Sequence, residues 1–365
     1  MAWLPIARVI SRRSTIYYCH NAAIMPFAKS LHPHITIINS SLHQASKFNQ
    51  ELLTPSDPEL LFTNVPGKYL GLTSTNHFNV SYTDENSTSP LVTLVVHGCP
   101  GSHLDFRYIS SVLVPAGVRV IRLNMPGFGS SEKPPEFIYS AHNLAKFVAA
   151  FLDNIGVTKI NMAVGISFGC SIVTSLSTVQ PNLVLSYGLL SSVGGRPHAG
   201  LRPYFITQFG AYMLEFSSIT SAAISSILRY AFQLSGFNVN KLSKDEMPNT
   251  VRMCGIADFQ LHHQNLRHIS RSKIPVLLVH GIDDHLIENK ILNENCQALG
   301  LKTLKEVTTE SIEPDSQENN SVLYDIKTNP FRQIVFKTGG HYIHKIHARY
   351  IGEAILQMLE RNNKE

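Results

Sequence analysis

Acidic residues are absent from the first 50 positions of this 365-residue sequence. The same stretch holds five basic residues, Arg8, Arg12, Arg13, Lys29 and Lys47. Because the whole chain has 31 Lys and Arg and 26 Asp and Glu, the remaining 315 residues carry equal numbers of each sign. A neutral body offers no electrostatic footprint for polyphosphate, which argues against a nucleic-acid partner.

The acid-free stretch has the composition of a transit peptide. On a helical wheel Arg8 and Arg12 lie opposite an apolar face, although Arg13 falls on the apolar side; that face is formed by Trp3, Ile6, Val9, Ile10 and Tyr17. The same arginines interrupt every apolar run that a secretory signal would need. We therefore expect residues 1–50 to be a mitochondrial targeting or disordered leader, and residues 51–365 to fold.

Cysteine is scarce, and its spacing fits neither a disulfide framework nor a zinc ribbon. There are five cysteines, an odd number, and no Cys-x-x-Cys pair. Runs of 18 uncharged apolar residues are also missing, and the best candidate for a membrane span, 216–228, is short and rich in serine. We expect no transmembrane segment, no metal and no cofactor. Nothing in the sequence bears on the oligomeric state.

Short apolar runs alternate with helical patterns through most of the body. The runs, rich in Val, Ile and Leu, lie at 91–96, 118–123, 159–165, 183–190 and 274–279. Such continuous runs predict strands buried on both faces. Helical patterns at 140–155 and 171–179 complete a βαβα order, which predicts an α/β fold with a mostly parallel, doubly wound sheet.

Three segments depart from this order. Residues 67–82 predict a hairpin or meander with its turn at 73–76, which would supply the antiparallel edge of the sheet, and the polar run 308–320 predicts a surface loop. From about 196 to 270 the strands stop and the sequence becomes helical and aromatic, which predicts an insertion between two strands. Its aromatic residues either line a pocket or pack the insertion onto the core; they are Tyr204, Phe205, Phe209, Tyr212, Phe216, Tyr230 and Phe232.

The sharpest local signal is the Gly-x-Ser-x-Gly pattern at 165–169, directly after one predicted strand and before a helix. Ser167 would stand on a strained strand-to-helix turn, and glycines on either side would let the strand and the helix approach closely. A serine hydroxyl in this position is a candidate nucleophile, but it requires a base and a carboxylate that orients the base.

Candidates for both partners follow later strands. The strand at 274–279 runs into a loop with Asp283 and Asp284, and the C-terminal strand ends before a Gly-Gly-His sequence at His341. Loops at the carboxyl ends of parallel strands meet at one edge of the sheet. The turn at 97–102 follows another strand, so the backbone N–H groups of Cys99 and Phe168 are the candidate oxyanion donors.

Four motifs in this order resemble the α/β-hydrolase superfamily over residues 60–360. They are the turns at 97–101 (His-Gly-Cys-Pro-Gly) and 126–131 (Pro-Gly-Phe-Gly-Ser-Ser), the Ser167 turn, and the Asp284 and His341 loops. The resemblance implies Ser–His–Asp acyl transfer under a helical cap. The superfamily's Gly-x-x-Asp-x-x-Ile spacing selects Asp284 over Asp283 as the catalytic carboxylate. Asp283 would then cap a turn.

Residues 97–109 are most similar to uncharacterised animal hydrolases known mainly from nematodes. The resemblance to epoxide hydrolases and haloalkane dehalogenases covers the scaffold and not the reaction, because this turn carries serine where they carry aspartate.

Other histidines compete with these assignments. His344 and His347 follow His341 at spacings of three, but that spacing drifts around a helix and no acidic residue lies near, so a solvated or half-buried helix face is the interpretation. His97 beside the oxyanion turn indicates a structural hydrogen bond.

The expected function is hydrolysis of a carboxylic ester, thioester or related acyl bond in a small apolar substrate through an acyl-enzyme. Two alternatives stay open, a non-catalytic binding protein on the same fold and hydrolysis of a carbon–carbon bond by the same triad.

Overall fold

A nine-stranded sheet forms the centre of the computed structural model, which describes residues 53–67, 77–133, 137–234, 245–309 and 321–362. The expected leader at 1–50 therefore lies outside the described residues. The strands are β1 (Leu61–Pro66), β2 (His77–Glu85), β3 (Val92–Val96), β4 (Arg119–Leu123), β5 (Met162–Ile166), β6 (Tyr187–Leu190), β7 (Val276–Gly281), β8 (Val322–Lys327) and β9 (Phe331–Phe336).

The sheet order is β1-β2-β4-β3-β5-β6-β7-β9-β8. Its centre, from β4 to β9, pairs in parallel, while β1 and β2 on one side and β8 on the other pair antiparallel. Strands β5, β7 and β9 point the same way, so the residues that follow them reach the same edge of the sheet. This confirms the predicted α/β class and mostly parallel sheet.

The described helices lie on both faces of the sheet or in a separate group beside it. They are α1 (Arg107–Leu113), α2 (Ala141–Asn154), α3 (Phe168–Val179), α4 (Tyr204–Phe216), α5 (Ser218–Leu234), α6 (Glu246–Gly255), α7 (Phe259–Arg271), α8 (Asn289–Leu299), α9 (Leu304–Thr309), α10 (Ile343–Ile346) and α11 (Ala348–Asn362). None of these described helices is long and apolar enough to cross a lipid bilayer.

Two hydrophobic cores flank the sheet because alternate side chains of each strand point to opposite faces. In β3, Leu94 and Val96 enter the core beneath α2 and α3, whereas Val95 enters the core beneath α1 and α11. Burial on both faces explains why the central strands read as continuous apolar runs in the sequence.

The edge strand β1 lies earlier than predicted. The hairpin was expected at 67–82, but β1 ends at Pro66 and pairs antiparallel with β2, and the predicted turn at 73–76 falls outside the described residues. The reason is exposure, since Leu61 and Phe62 are largely exposed and the strand has no buried apolar run to mark it. Residues 310–320 of the predicted surface loop are also outside the described residues, and 308–309 end α9.

The interval predicted as an insertion, 196–270, contains two kinds of helix. Helices α4, α5 and α6 pack on one another, and a small cluster of Ala211, Leu214 and Val251 joins α4 to α6. Helix α7 instead buries Leu266 and Ile269 in the main core. Helices α4 to α6, called the cap below, are therefore the part that stands apart from the sheet.

Candidate active site

Ser167 occupies the turn between β5 and α3, with a backbone φ of +54° and ψ of −121°. Positive φ is costly for a residue with a Cβ, so the surrounding backbone must enforce it. The two glycines of the motif allow this. A Cβ at Gly165 would lie 2.6 Å from the backbone of Gly169 and Cys170, and a Cβ at Gly169 would lie 2.4 Å from the carbonyl oxygen of Val96.

The turn after β3 lies against this serine. A Cβ added to Gly98 would stand 3.1 Å from the Cβ of Ser167 and 3.7 Å from its Oγ. Cys99 follows in the same turn and is half-buried, and Phe168 is the first residue of α3. The two candidate oxyanion residues thus flank Ser167, one on the neighbouring turn and one at the positive end of a helix.

His97 fixes that turn. Its Nδ1–H donates to the Gly98 carbonyl at 2.6 Å, and its Nε2 accepts the backbone N–H of Met125 at 3.0 Å. Burial lowers the pKa of His97, in agreement with a neutral ring that donates on one side and accepts on the other. His97 therefore makes the structural hydrogen bonds that its position indicated.

Asp284 and His341 are joined directly. His341 Nδ1 donates to Asp284 Oδ2 at 2.9 Å, which leaves Nε2 of the same ring as an acceptor. The other carboxylate oxygen, Oδ1, accepts the backbone N–H groups of Leu286 and Ile287, each at 2.9 Å. The Asp284 side chain is fully buried, so both its position and its contact with the His341 ring are fixed.

The charge of Asp284 is stabilised despite its burial. Burial alone would raise the pKa of this carboxyl, but the positive charge and hydrogen bond of His341, together with the Ile287 N–H, outweigh it and hold the pKa below its ordinary value. Asp284 is therefore a carboxylate at neutral pH, suited to hold the ring in one tautomer and to stabilise an imidazolium.

Asp283 has a role that the sequence did not reveal. It was expected to cap a local turn, but its Oδ2 and Oδ1 accept the backbone N–H groups of Gly339 and Gly340 at 3.1 and 2.8 Å. These glycines directly precede His341. The two adjacent carboxylates thus hold the loop that carries His341. Asp283 accepts from the backbone of that loop, and Asp284 accepts from the His341 ring.

The expectation for His344 and His347 is wrong, since the two residues are 1% and 5% exposed and lie in no solvated face. His347 donates from Nε2 to the Thr338 carbonyl at 2.7 Å and stacks on Phe336, with 4.0 Å between ring centroids. The segment that follows His341 turns inward and packs beneath its own loop, and this buries both rings. No cluster that could hold a metal occurs in the described part of the chain.

His198, to which no sequence signal pointed, is buried beside the Asp284–His341 pair. Its Nδ1 accepts the Gly200 N–H at 3.2 Å, and its ring also bonds the backbone of Leu286 in the Asp284 loop. Burial and then the like charge of His341 lower the pKa of His198 to about 4, so it is neutral at physiological pH. His198 therefore places no second positive charge beside the Asp284–His341 pair.

Glu288 ties the start of the cap to the same loop. It accepts the backbone N–H of Ala199 at 2.8 Å and pairs with Arg196 and Arg202 at 3.0 and 2.8 Å. Burial would raise the pKa of Glu288, but these donors outweigh it and lower the pKa. The segment at 196–202 is therefore fastened to the loop that carries Asp284.

Comparison with protein families identifies the scaffold. Residues 70–360 match a family described as alpha/beta hydrolase of unknown function (DUF1057). The chain belongs to this family of α/β hydrolases. The match covers the cap and every strand of the sheet except β1, and it confirms the resemblance stated from the motifs.

Similarity to individual proteins is more limited. An uncharacterised hydrolase, YugF, of Bacillus subtilis is 35% identical over 116 residues, 32% of this chain and 42% of that protein. The bifunctional epoxide hydrolase 2 of Sus scrofa is 32% identical over 109 residues, 30% of this chain and 19% of that protein. The hydrolase chain thus aligns with less than half the length of either relative.

Among solved structures, a thermophilic esterase from Thermogutta terrifontis superposes with a TM-score of 0.59. The superposition covers 84% of this hydrolase and 99% of the esterase at 14% sequence identity. At that identity the likeness shows a shared fold and does not extend to the reaction.

The cap of this hydrolase rests on the body through α6. Glu246 accepts the backbone N–H of Gly129 at 3.1 Å, and Asn249 donates to the Gly127 carbonyl at 3.0 Å, so α6 holds the turn at 126–131. At the other end of α6, the Sγ of Cys254 lies 3.6 Å from the Sγ of Cys99. Helix α6 therefore touches the turn that carries Cys99, one of the two candidate oxyanion donors.

The aromatic residues at 204–232 were expected either to line a pocket or to pack the insertion onto the core, and most of them do neither. Four lie one helical turn apart on one face of α4 and point to solvent; Phe205, Phe209, Tyr212 and Phe216 are 68%, 62%, 61% and 63% exposed. They neither line a pocket nor pack onto the core, because the inward face of α4 uses the smaller Ala211 and Leu214. Composition reveals that a helix is aromatic but not which face turns inward.

Proposed function

We propose that this hydrolase cleaves a carboxylic ester, thioester or related acyl bond of a small apolar substrate, with Ser167 as nucleophile, His341 as base and Asp284 as the orienting carboxylate. The observation that carries the proposal is the 2.9 Å bond between Asp284 and His341 at the sheet edge where Ser167 stands on its strained turn. A serine with these two partners has what nucleophilic acyl transfer requires.

In the first half-reaction Ser167 Oγ attacks the acyl carbon while His341 Nε2 removes its proton. Asp284 holds Nδ1–H, so the ring presents its basic nitrogen and becomes an imidazolium paired with a buried carboxylate. Collapse of the tetrahedral intermediate releases the alcohol or thiol, which takes the proton from Nε2, and leaves an acyl ester on Ser167.

The negative oxygen of that intermediate requires donors. The N–H groups of Cys99 and Phe168 are the proposed ones, and the contact between Gly98 and Ser167 supports placing Cys99 within reach. Each such donor contributes about 3 kcal/mol to transition-state stabilisation in enzymes of this kind. In the second half-reaction His341 activates water, which hydrolyses the acyl-enzyme through the same charge distribution.

The identity of the nucleophile favours acyl transfer over the opening of epoxides, although one relative is named an epoxide hydrolase. An aspartate that attacks a saturated carbon forms an ester, and water can hydrolyse it. A serine that attacked the same carbon would form an ether, which an activated water does not cleave. Ser167 is therefore suited to carbonyl substrates, in which the covalent intermediate is itself an ester.

The test is labelling with a fluorophosphonate probe together with turnover of a panel of esters and acyl thioesters. We expect Ser167→Ala to abolish labelling and to lower turnover by several orders of magnitude. Ser171→Ala, one turn further along α3 and also buried, is the matched control and should label like the wild type. Labelling that persists in Ser167→Ala would overturn the proposal, as would a wild-type protein that neither labels nor turns over any member of the panel.

A further inference from the structure

Two thiols meet where the cap touches the oxyanion turn. Cys99 follows β3 and Cys254 lies near the end of α6, and their sulfur atoms are 3.6 Å apart. The other two cysteines of the described residues are engaged elsewhere; Cys170 donates to the Gly165 carbonyl at 3.1 Å, and Cys296 accepts from Gln333 at 3.0 Å. The mechanism proposed above uses neither the Cys99 sulfur nor the Cys254 sulfur.

We propose that Cys99 and Cys254 are a site of reversible oxidation, at which a peroxide converts the two thiols into a disulfide that lowers hydrolase activity. The formation of the disulfide stands on the geometry of the pair alone. The loss of activity rests on the proposed function, because it requires that the turn carrying Cys99 take part in catalysis.

The reaction balances with hydrogen peroxide as the oxidant. Cys99 is the more exposed residue of the two, and its sulfur attacks one peroxide oxygen. A sulfur–oxygen bond forms, the oxygen–oxygen bond breaks and hydroxide leaves, taking up the thiol proton as water. Cys254 then attacks the sulfenic sulfur, the sulfur–sulfur bond forms and a second water leaves. Two thiols lose two electrons in all, and one peroxide gains them.

The pair is close enough for this reaction but not already bonded. A disulfide has a sulfur–sulfur distance of about 2.05 Å, so the two atoms must approach by about 1.5 Å. The hydrogen-bonded Cys254 thiol and burial raise the pKa of Cys99 well above its ordinary value, so its thiolate is scarce. Oxidation is therefore slow, and the site responds to sustained rather than brief exposure to peroxide.

The approach displaces the oxyanion turn because α6 is held from several sides. Glu246 and Asn249 bind α6 to the turn at 126–131, and the Tyr204 hydroxyl donates to the Cys254 carbonyl at 3.0 Å. Part of the 1.5 Å movement must then come from Cys99 and its backbone N–H. A misplacement of about 1 Å in a catalytic group costs roughly 100-fold in rate.

The experiment treats the full chain with hydrogen peroxide for hours, removes the excess with catalase and divides the sample. One part is alkylated, digested and examined by mass spectrometry for a peptide that joins Cys99 to Cys254. The other part is assayed with a p-nitrophenyl ester before and after dithiothreitol. Cys254→Ser removes the pair, and Cys296→Ser is the matched control for a buried cysteine elsewhere.

We expect the joined peptide, a loss of activity of about tenfold or more that dithiothreitol restores in the wild type and in Cys296→Ser, and no comparable loss in Cys254→Ser relative to its own untreated sample. Absence of the joined peptide would overturn the site. An equal loss in Cys254→Ser, or a disulfide that leaves activity unchanged, would overturn the inhibition. A reduced protein without ester turnover would instead contradict the proposed function, while the peptide result would still decide the disulfide.

Discussion

Replacement of Asp283 by asparagine separates the roles of the two adjacent carboxylates. The wild-type side chain accepts two backbone N–H groups, from Gly339 and Gly340, one on each oxygen. Asparagine keeps the shape but has a single acceptor oxygen, and its NH₂ group would face a second donor. One hydrogen bond to a charged group is therefore lost and a donor–donor contact is created.

The expected size of the effect follows from those two bonds. A hydrogen bond to a charged group contributes about 1.5 to 3 kcal/mol, and the half-buried position of Asp283 favours the lower end. A loop weakened by about 2 kcal/mol lowers turnover by at most roughly 30-fold, since 1.36 kcal/mol corresponds to a factor of ten. Asp284→Asn, which removes the partner of the His341 ring, should cost about 10⁴-fold.

The assay compares kcat and KM for a p-nitrophenyl ester in Asp283→Asn, in Asp284→Asn and in a control, Asp258→Asn. Asp258 also accepts a backbone N–H, at the start of α7, and asparagine caps helices equally well, so the control should behave as wild type. We expect Asp283→Asn to lower kcat and leave KM nearly unchanged. The reasoning fails if Asp283→Asn is as damaging as Asp284→Asn, or if it is indistinguishable from wild type.

Three further predictions concern the nucleophile turn, a buried histidine and the leader. Ser167→Gly should relieve the positive φ and raise the free energy of unfolding by about 1 kcal/mol in urea denaturation while it abolishes probe labelling, and a less stable variant would contradict the strain argument. Burial lowers the pKa of His262 from 6.5 to about 4, so the unfolded chain binds a proton at this residue before the folded chain does as the pH falls. The free energy of unfolding that depends on neutral His262 is fully present above pH 6.5, and about 3 kcal/mol of it is lost towards pH 4. Denaturation at several pH values should show that His262→Gln reduces the slope of stability against pH, to which His97 and His198 also contribute, and that the exposed His268→Gln leaves it unchanged. Residues 1–50 fused to a fluorescent protein should direct it to mitochondria unless the three arginines among the first 13 residues are changed to glutamate, and a diffuse signal from the unchanged fusion would refute the targeting.

The sheet was predictable because its central strands are buried on both faces and so appear as apolar runs. Edge strand β1 was misplaced because Val65 is its one buried residue, and the polar Thr63 and Asn64 leave it without a continuous apolar run. The candidate site was predictable to the extent that its residues follow strand ends, since the strand order then brings Ser167, Asp284 and His341 to one edge.

Contacts between segments far apart in the chain could not be predicted in this way. Asp283 binds a glycine 57 residues later, and Cys99 meets a cysteine 155 residues later. His198 reaches the Asp284 loop only because the chain returns from the start of the cap past that loop. No local pattern encodes such pairings, since each depends on how loops from different strands pack together.

The cap is attached to the body unequally along its length, and this divides it into a fixed part and an exchangeable part. Helix α6 is hydrogen-bonded to the turn at 126–131 and contacts Cys99 in the turn after β3, and the segment at 196–202 is bonded to Glu288 in the loop that follows Asp284. The hairpin of α4 and α5 rests chiefly on α6 and turns four aromatic side chains to solvent. Substitutions, insertions or a grafted segment in that hairpin can therefore alter the outer surface of the protein without disturbing the proposed catalytic residues, whereas changes in α6 reach the turn that carries Cys99 directly. Diversification in evolution and by design should accordingly be tolerated first in the outer hairpin.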